Sequence, residues 1–299
     1  MMPPKIIAVV GQTATGKSDL AVQIALAIAG EVISADSRQV YRGLDIGSGK
    51  ILPTEMAGIR HHLLDVADPR TVYSVFDFQR DALVAISDIH QRNHIPIICG
   101  GTGLFVDSVL FEMPLPNASI NYAFRHQLES ISTETLFERL SRVDPRRSHT
   151  IDRHNRRRLI RALEIIEETG IHVPATPQRT PRFDTLFLGI RFDDETLRAR
   201  IRQRLMARLD LGMVDEVYKL HEIDHVSWER LDDLGLEYRF VSRYLRDSIS
   251  YDAMVASLCT AIWQYSKRQM TWFKRNKDIV WLDDPSLALA RVQEFLARS

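Results

Sequence analysis

This sequence of 299 residues lacks a membrane-length apolar run, a signal-peptide pattern and a set of paired cysteines. No apolar run reaches the roughly 20 residues that a bilayer-spanning helix needs. The N-terminus has no apolar segment followed by a cleavage site, so we expect no secretory leader. The two cysteines, Cys99 and Cys259, form neither a metal-binding pattern nor a disulfide framework. Together these absences predict a protein of a reducing cytoplasm that does not act in a membrane.

An excess of charge of either sign is also missing. The 39 Lys and Arg residues balance 39 Asp and Glu residues, so the formal net charge is zero. This excludes coating of nucleic acid by bulk electrostatics and leaves room for a local basic groove. The hydrophobic and charged fractions, 45% and 26%, are typical of a globular protein. A chain of this length suits one large domain or a core with a second lobe.

A phosphate-binding pattern, G-x-x-x-x-G-K-[ST], occupies residues 11–18 between an apolar strand pattern and an amphipathic helix pattern. In such loops, glycines let backbone N–H groups surround an anion, and the helix N-terminus adds partial positive charge. Lys17 would reach terminal phosphate oxygens, and the Ser18 hydroxyl is a suitable Mg²⁺ ligand. The alternative is a simple glycine-rich turn. We predict a phosphate or diphosphate site at Gly11, Gln12, Thr13, Ala14, Thr15, Gly16, Lys17 and Ser18.

Strand and helix patterns alternate along most of the chain, which predicts an α/β fold with a parallel sheet and helices on both faces. Residues 117–183 differ, because their patterns are helical and charged. We therefore predict a P-loop NTPase-like core, residues 1–116 and 184–299, interrupted by a small all-α domain at 117–183. Predicted strands cover 6–10, 31–35, 61–66, 95–99, 186–190 and 279–282, and long helices cover 74–91, 195–221, 230–247 and 252–274.

Two further segments follow predicted strands and therefore reach the edge of the sheet where ligands bind. Asp36, in Asp-Ser-Arg-Gln, could bind Mg²⁺ through water or act as a general base. The same Asp-Ser pair is also common in turns and helix caps. Thr102, in Gly-Gly-Thr-Gly, could place a hydroxyl against a diphosphate, although such glycines often only permit a tight turn.

Positive charge is concentrated in the predicted insert and near the C-terminus. Arginine grips phosphate with two parallel hydrogen bonds, but a run of charges is also typical of a solvated face. The segment 267–277 mixes bases with aromatics, which suits RNA with splayed bases and equally suits a helix that packs its aromatics inward. The densest run of arginines in the insert comprises Arg146, Arg147, Arg153, Arg156, Arg157, Arg158 and Arg161.

Taken together, these segments resemble the tRNA dimethylallyltransferase (tRNA isopentenyltransferase) family. The phosphate loop of that family reads G-P-T-A-S-G-K-[ST], and its next block, D-S-R-Q-V-Y-R-G-M-D-I-G-T, is similar to residues 36–48. The similarity continues at 61–65, 100–104 and 158–164, and it ends with K-R-Q-M-T-W-F at 267–273. It extends over nearly the whole chain, and the second and last blocks are its most specific parts.

The resemblance implies transfer of a dimethylallyl group from dimethylallyl diphosphate to the N6 amine of an adenine. That adenine lies 3′ of the anticodon in tRNAs that read codons beginning with U, and it is flipped out of the anticodon loop. The resemblance further implies that Asp36 is the general base, that Thr102 lies between diphosphate and acceptor, and that Lys17, Arg204 and Mg²⁺ at Ser18 stabilise the diphosphate. Its implied tRNA contacts are Asp36, Ser37, Arg38, Gln39, Thr102, Arg125, Arg157, Arg158 and Arg161.

Some positions depart from the family pattern. Gln12 replaces a proline, Phe105 replaces a tyrosine and Arg157 stands where glutamine is common. Residues 235–239 resemble the family's G-Y-[KR]-[EQ] segment only loosely, and we assign them no role. Three other functions stay open on the residues alone: a P-loop kinase of a small metabolite, a transferase acting on free adenine nucleotides, and an RNA-binding NTPase module without chemistry. We expect a monomer.

Overall fold

A computed structural model describes residues 3–116, 118, 121–170, 172 and 179–298. The chain separates into two compact units, one formed by Met1–Leu110 with Arg182–Ser299 and the other by Phe111–Pro181. Residue 117, where the predicted insert begins, lies outside the described residues. None of the described helices combines the length and the apolar character that a membrane crossing requires.

The larger unit contains all six strands that the described residues form. They are β1 (Lys5–Gly11), β2 (Gly30–Ser34), β3 (His61–His62), β4 (Ile95–Gly100), β5 (Asp184–Ile190) and β6 (Val280–Leu282). The α-helices are α1 (Lys17–Ile28), α2 (Val75–Gln91), α3 (Gly103–Leu110), α4 (Tyr122–Glu129), α5 (Thr133–Val143), α6 (Pro145–Ser148), α7 (Arg156–Thr169), α8 (Asp194–Asp210), α9 (Met213–Glu222), α10 (Trp228–Leu234), α11 (Leu236–Leu245), α12 (Tyr251–Phe273) and α13 (Ala288–Ala297). Helices α4 to α7 belong to the smaller unit.

The six strands form one parallel sheet in the order β3-β2-β4-β1-β5-β6. Strand β1 lies inside the sheet, where Ile7 pairs with Ile97 of β4 and with Leu186 of β5. Both faces of β1 are covered, so its apolar residues are buried without alternation, as is usual in parallel sheets. The fold class predicted from the sequence, a P-loop NTPase-like parallel sheet flanked by helices with a helical insert, is confirmed.

The strand order explains why distant loops meet. Strands β2, β4 and β1 are neighbours, and all three run in the same direction. Their carboxyl ends therefore bring three segments to one edge of the sheet: residues 11–16 after β1, 35–41 after β2 and 101–103 after β4. Below this edge, α1 and α13 pack on the sheet through a core that includes Ile24 and Phe295. The sheet thus supplies a rigid base for these three segments.

Three predicted elements differ from the structure, and left-handed backbone accounts for each difference. The strand predicted at 61–66 contains only His61–His62, because Leu63 and Asp65 have φ values of 62° and 57°. The helix predicted at 195–221 is broken into α8 and α9 at Gly212, where φ is 95°. The helix predicted at 230–247 is broken into α10 and α11 at Gly235, where φ is 75°. A helix cannot continue through a residue in this conformation.

The smaller unit has a hydrophobic core of its own. Leu128 of α4, Leu140 of α5 and Leu159 of α7 are fully buried in it. An isolated antiparallel bridge joins Phe111 to Pro181, the first and last residues of the unit. The charged pattern seen in the sequence is thus amphipathic, with an apolar face that packs inside the unit.

Candidate active site

The phosphate loop has the geometry that its pattern predicts. It leaves β1 at Gly11 and enters α1 after Gly16, and these glycines have φ values of 131° and 88°. A Cβ on Gly11 would lie 3.2 Å from the carbonyl oxygen of Ile190, so the loop also needs glycine for space. The ammonium group of Lys17 donates to the carbonyl of Gln12, which folds the lysine over its own loop. The loop itself therefore fixes the position of the lysine ammonium group.

Gln12, which stands where the family has proline, ties the loop to helix α12. Its side-chain amide donates to the carbonyl of Ser266 over 3.2 Å. A second bridge comes from Gln269, whose Oε1 accepts from the N–H of Thr13 at 2.8 Å and whose Nε2 donates to the carbonyl of Gly101 at 3.0 Å. Gln269 therefore couples the phosphate loop to the Gly-Gly-Thr-Gly loop, a role that the sequence patterns do not predict.

A cavity of about 300 Å³ lies above the phosphate loop. Residues 13–19 line one side of it, and Asp36, Gln39, Arg204 and Tyr265 line the others. The structure thus brings together the predicted diphosphate loop, the predicted base and the predicted arginine. Thr102 is not one of the lining residues, but its hydroxyl accepts from the N–H of Ser37 at 3.1 Å, immediately beside Asp36.

Three cationic side chains line this cavity, those of Lys17, Arg204 and Arg208, and the pKa is lowered for the first two. Burial lowers the pKa of Lys17 to about 8, while the neighbouring Asp36 partly opposes this effect. The side chain of Arg204 is open to solvent, yet partial desolvation and the nearby Arg208 lower its pKa as well. Both shifts reflect positive charges that are crowded or desolvated without a bound anion. An anionic ligand would relieve both, so the electrostatics favour a compound such as diphosphate.

The Asp36 carboxylate accepts hydrogen bonds from the backbone of the turn in which it lies. Its Oδ1 accepts from the N–H of Arg38 at 2.8 Å and from that of Gln39 at 3.4 Å. Asp36 thus forms a turn, as one of its two alternatives has it, and it also lines the cavity, while its role as a base or Mg²⁺ ligand stays a prediction. Gly100 has no room for a side chain, because a Cβ there would lie 2.2 Å from the carbonyl oxygen of Ala35. This close approach brings the β4 loop and the Asp36 turn together.

Arg38 and Gln39, both predicted to contact tRNA, form hydrogen bonds with other residues of the protein. The Nε of Arg38 donates to the carbonyl of Leu234 at 2.6 Å. The side chain of Gln39 accepts from the Ser34 hydroxyl at 2.9 Å and donates to the carbonyl of Gly49 at 3.3 Å. These bonds orient the segment that follows β2.

The aromatic residues of the C-terminal block pack inward, as one of the two alternatives expects, while its lysines and arginines are exposed, so an RNA contact there stays a prediction. Trp272 donates from Nε1 to Asp107 at 2.9 Å, and a Cβ on Gly103 would lie 2.2 Å from the indole ring. Phe273 is buried. The block contains Gln269, so its role in this structure is to hold the two glycine loops together. The recognisable K-R-Q-M-T-W-F signature was the signal that could have identified Gln269.

The arginines of the smaller unit divide into two groups. Arg125 and Arg161 both bind the fully buried carboxylate of Glu164, with closest distances of 2.8 and 2.6 Å. Hydrogen bonds from these cations hold the pKa of Glu164 below its usual range, although burial opposes the shift. Arg157 and Arg158, one turn earlier on α7, are exposed. Of the four predicted RNA contacts in this unit, the structure therefore places two, Arg125 and Arg161, in ion pairs with a buried carboxylate.

The residues around the phosphate loop fit a magnesium ion. Ser18 and Asp36 present oxygen donors to the cavity. Across the part of the chain that the structure describes, no group of three His, Cys, Asp or Glu side chains could hold a metal by itself. Mg²⁺ normally binds through few protein oxygens and takes its other ligands from water and substrate phosphates. The donor set therefore suits an ion that arrives with a diphosphate.

Comparisons with known proteins identify the family of this chain. The IPP transferase family model matches residues 39–276. A Citrifermentans bemidjiense protein named tRNA dimethylallyltransferase 2 is 41% identical over 300 residues, covering 99% of this chain and 96% of that protein. A Shewanella sediminis protein of the same name is 43% identical over 270 residues, covering 90% of this chain and 89% of that protein.

Solved structures are similar over the same length. The full-length tRNA isopentenylpyrophosphate transferase of Bacillus halodurans has a TM-score of 0.72 and 34% identity, covering 98% of this chain and 95% of that one. A eukaryotic dimethylallyltransferase studied while acting on tRNA has a TM-score of 0.81 and 28% identity, covering 98% of this chain and 78% of that one. The chain described here therefore belongs to the IPP transferase family, the family of the tRNA dimethylallyltransferases.

Proposed function

We propose that this protein transfers a dimethylallyl group from dimethylallyl diphosphate to N6 of the adenine 3′ of the anticodon, in tRNAs that read codons beginning with U. The observation that carries the proposal is the cavity where a phosphate loop, three cationic side chains and the Asp36 carboxylate meet. Family membership supports a prenyl transfer to tRNA and argues against the kinase alternative. A cytoplasmic location and a monomeric state stay predictions.

The chemistry follows from the positions of these groups. The adenine N6 attacks C1 of the dimethylallyl group, the C–O bond to diphosphate breaks, and diphosphate leaves with the electron pair. Lys17, Arg204 and the loop N–H groups stabilise the negative charge that develops on it, which is usually the largest contribution to catalysis of this type. The proton lost from N6 passes to Asp36, which lies in the cavity wall opposite the loop.

Two further groups support this arrangement. The Thr102 hydroxyl, held by the Ser37 N–H, lies at the side of the Asp36 turn from which the acceptor amine approaches in our proposal. Ser18 and Asp36, the second through water, would hold Mg²⁺. When bound, the ion supplies additional positive charge to the diphosphate oxygens.

Incubation with labelled dimethylallyl diphosphate and Mg²⁺ tests the proposal directly. The acceptor is an unmodified anticodon stem–loop with adenine 3′ of the anticodon, and the matched control carries guanine at that position. We expect label in the adenine RNA only, with release of one diphosphate per transfer. Label absent from both RNAs, together with consumption of ATP on a small acceptor, would contradict the proposal and favour a kinase.

A further inference from the structure

Part of the cavity wall is a backbone segment, residues 45–49, that side chains from other parts of the core hold in place. Ser48 and Gly49 of this segment line the cavity beside the phosphate loop. The carbonyl of Gly49 accepts from the side chain of Gln39 at 3.3 Å, and the N–H of Gln39 donates to Asp36. The segment is therefore connected to the turn that carries the proposed base.

The carboxylate of Glu216, on α9, receives three consecutive N–H groups of this segment. Its Oε2 accepts from Asp45 at 3.0 Å and from Ile46 at 2.5 Å, and its Oε1 accepts from Gly47 at 3.0 Å. The hydroxyl of Tyr238 donates to the same Oε1 at 3.1 Å. Successive N–H groups that converge on one anion form a strong site, and the negative charge strengthens each bond.

The opposite side of the segment is held as tightly. Arg208 donates from Nη1 to the carbonyl of Gly47 at 3.1 Å and to Glu237 at 3.2 Å. A Cβ on Gly47 would lie 2.9 Å from Tyr238, and a Cβ on Gly49 would lie 2.0 Å from Arg208. The side chains of Tyr238 and Arg208 therefore lie directly against the backbone of this segment.

From these contacts we infer that Glu216 is a positioning residue for the transfer reaction. It binds no substrate; it sets the position of segment 45–49, which forms the cavity wall and, through Gln39, supports the Asp36 turn. A small displacement of a reacting group lowers turnover steeply, so the effect reaches the chemistry from α9. This inference rests on the proposed function.

The test replaces Glu216→Gln, which keeps the shape but puts an amide NH₂ group where only acceptors fit. Glu222→Gln is the matched control, because Glu222 is an exposed residue of the same helix. For Glu216→Gln we expect kcat per folded molecule to fall by about tenfold or more, with an unchanged KM for tRNA. Amide hydrogen exchange at Asp45, Ile46 and Gly47 should accelerate. Glu222→Gln should change neither kcat nor the exchange rates of these three amides.

Two further variants make the outcome decisive. Glu216→Asp keeps the carboxylate and should restore part of both kcat and exchange protection. Tyr238→Phe removes one of the four donors, so it should produce a smaller loss, and it replaces the first variant if Glu216→Gln does not fold. A purely structural role lowers only the melting temperature and leaves kcat per folded molecule unchanged well below that temperature. That result would overturn the inference.

The exchange measurement separates this inference from the proposed function. A wild-type protein that transfers no dimethylallyl group would remove the proposed function and the positioning role with it. An active Glu216→Gln enzyme with wild-type kcat would overturn the positioning role alone. Faster exchange at 45–47 together with a lower kcat supports both.

Discussion

At the scale of single residues, the carboxylate of Asp36 holds its own turn while it faces the cavity. One of its oxygens accepts from the backbone N–H groups of Arg38 and Gln39. These hydrogen bonds fix the direction of the side chain. The carboxylate therefore loses no rotamer freedom when the acceptor substrate binds. This preorganisation is the local requirement for general-base catalysis.

Replacement of Asp36→Asn tests the base without dismantling the turn. The amide oxygen still accepts from the Arg38 N–H, but the amide cannot take a proton at neutral pH. We expect kcat to fall by about a hundredfold, in the range for loss of a general base, with little change in the affinity for diphosphate. Single-turnover transfer and diphosphate inhibition measure the two effects. Asp88→Asn, an exposed position on α2, is the control, and near-normal turnover in Asp36→Asn would remove Asp36 from the mechanism.

The pKa of Lys17 predicts how diphosphate binding depends on pH. Burial lowers this pKa to about 8, so the ligand-free protein loses the ammonium charge as pH rises through that value. Near pH 9 only about one Lys17 side chain in ten keeps its proton, so affinity for diphosphate should fall by about tenfold. Calorimetric titration should also detect proton uptake on binding above pH 8.

Lys17→Arg is the matched control, because a guanidinium keeps its charge over this range. Comparing the two proteins with the same ligand cancels the titration of diphosphate itself. Parallel pH profiles for wild type and Lys17→Arg would show that Lys17 does not control the binding.

At the scale of elements, helix α7 carries arginines with different tasks. Arg161 turns inward to Glu164, which also binds Arg125 and the backbone N–H of Asn121. Arg156 donates to carbonyls at the end of α4. The exposed pair, Arg157 and Arg158, has the accessibility that an RNA backbone contact requires.

Replacement of both Arg157→Ala and Arg158→Ala should weaken tRNA binding and leave the fold intact. We expect a higher KM for tRNA and a salt dependence of binding whose slope is smaller by about 2, one for each lost phosphate contact. Arg142→Ala, an exposed arginine at the end of α5, is the control. An unchanged slope in the double variant would assign these arginines to a solvated face.

At the scale of the whole molecule, the parallel sheet gathers groups that lie far apart in sequence. Neighbouring strands β2, β4 and β1 end at one edge, and α12 closes the site from the other side through Gln12 and Gln269. The residues of the proposed diphosphate site thus all belong to the larger unit, while the helical unit has a separate hydrophobic core.

Amide hydrogen exchange should show that diphosphate and RNA protect different parts of the two units. In the proposed function inorganic diphosphate binds only the larger unit, so it should slow exchange in residues 11–18 and 36–49 and leave 111–181 unchanged. An anticodon stem–loop should slow exchange in both units, because the proposed RNA contacts lie in both. Protection of 111–181 by diphosphate alone would contradict this separation.

Local patterns in the sequence were sufficient for the fold class and for much of the site. Apolar runs that end in glycine loops predict buried parallel strands, because a two-sided sheet needs continuous apolar residues. The phosphate loop is a local structure, so its ligand class follows from a few adjacent residues. The blocks at 36–48 and 267–273 are specific enough to indicate the family by themselves.

The roles of the supporting residues depended on the tertiary structure. Glu216 has an ordinary side chain, and the backbone N–H groups that it binds lie more than a hundred residues away, so nothing near it in the sequence marks it; Gln269 lies in a recognisable block, but its partners are equally distant. Which arginines of α7 bind Glu164 and which are exposed to solvent depends likewise on the face of the helix that is buried. Local sequence determines which conformations and charges are present, whereas only packing across the folded chain decides which of those charges meet.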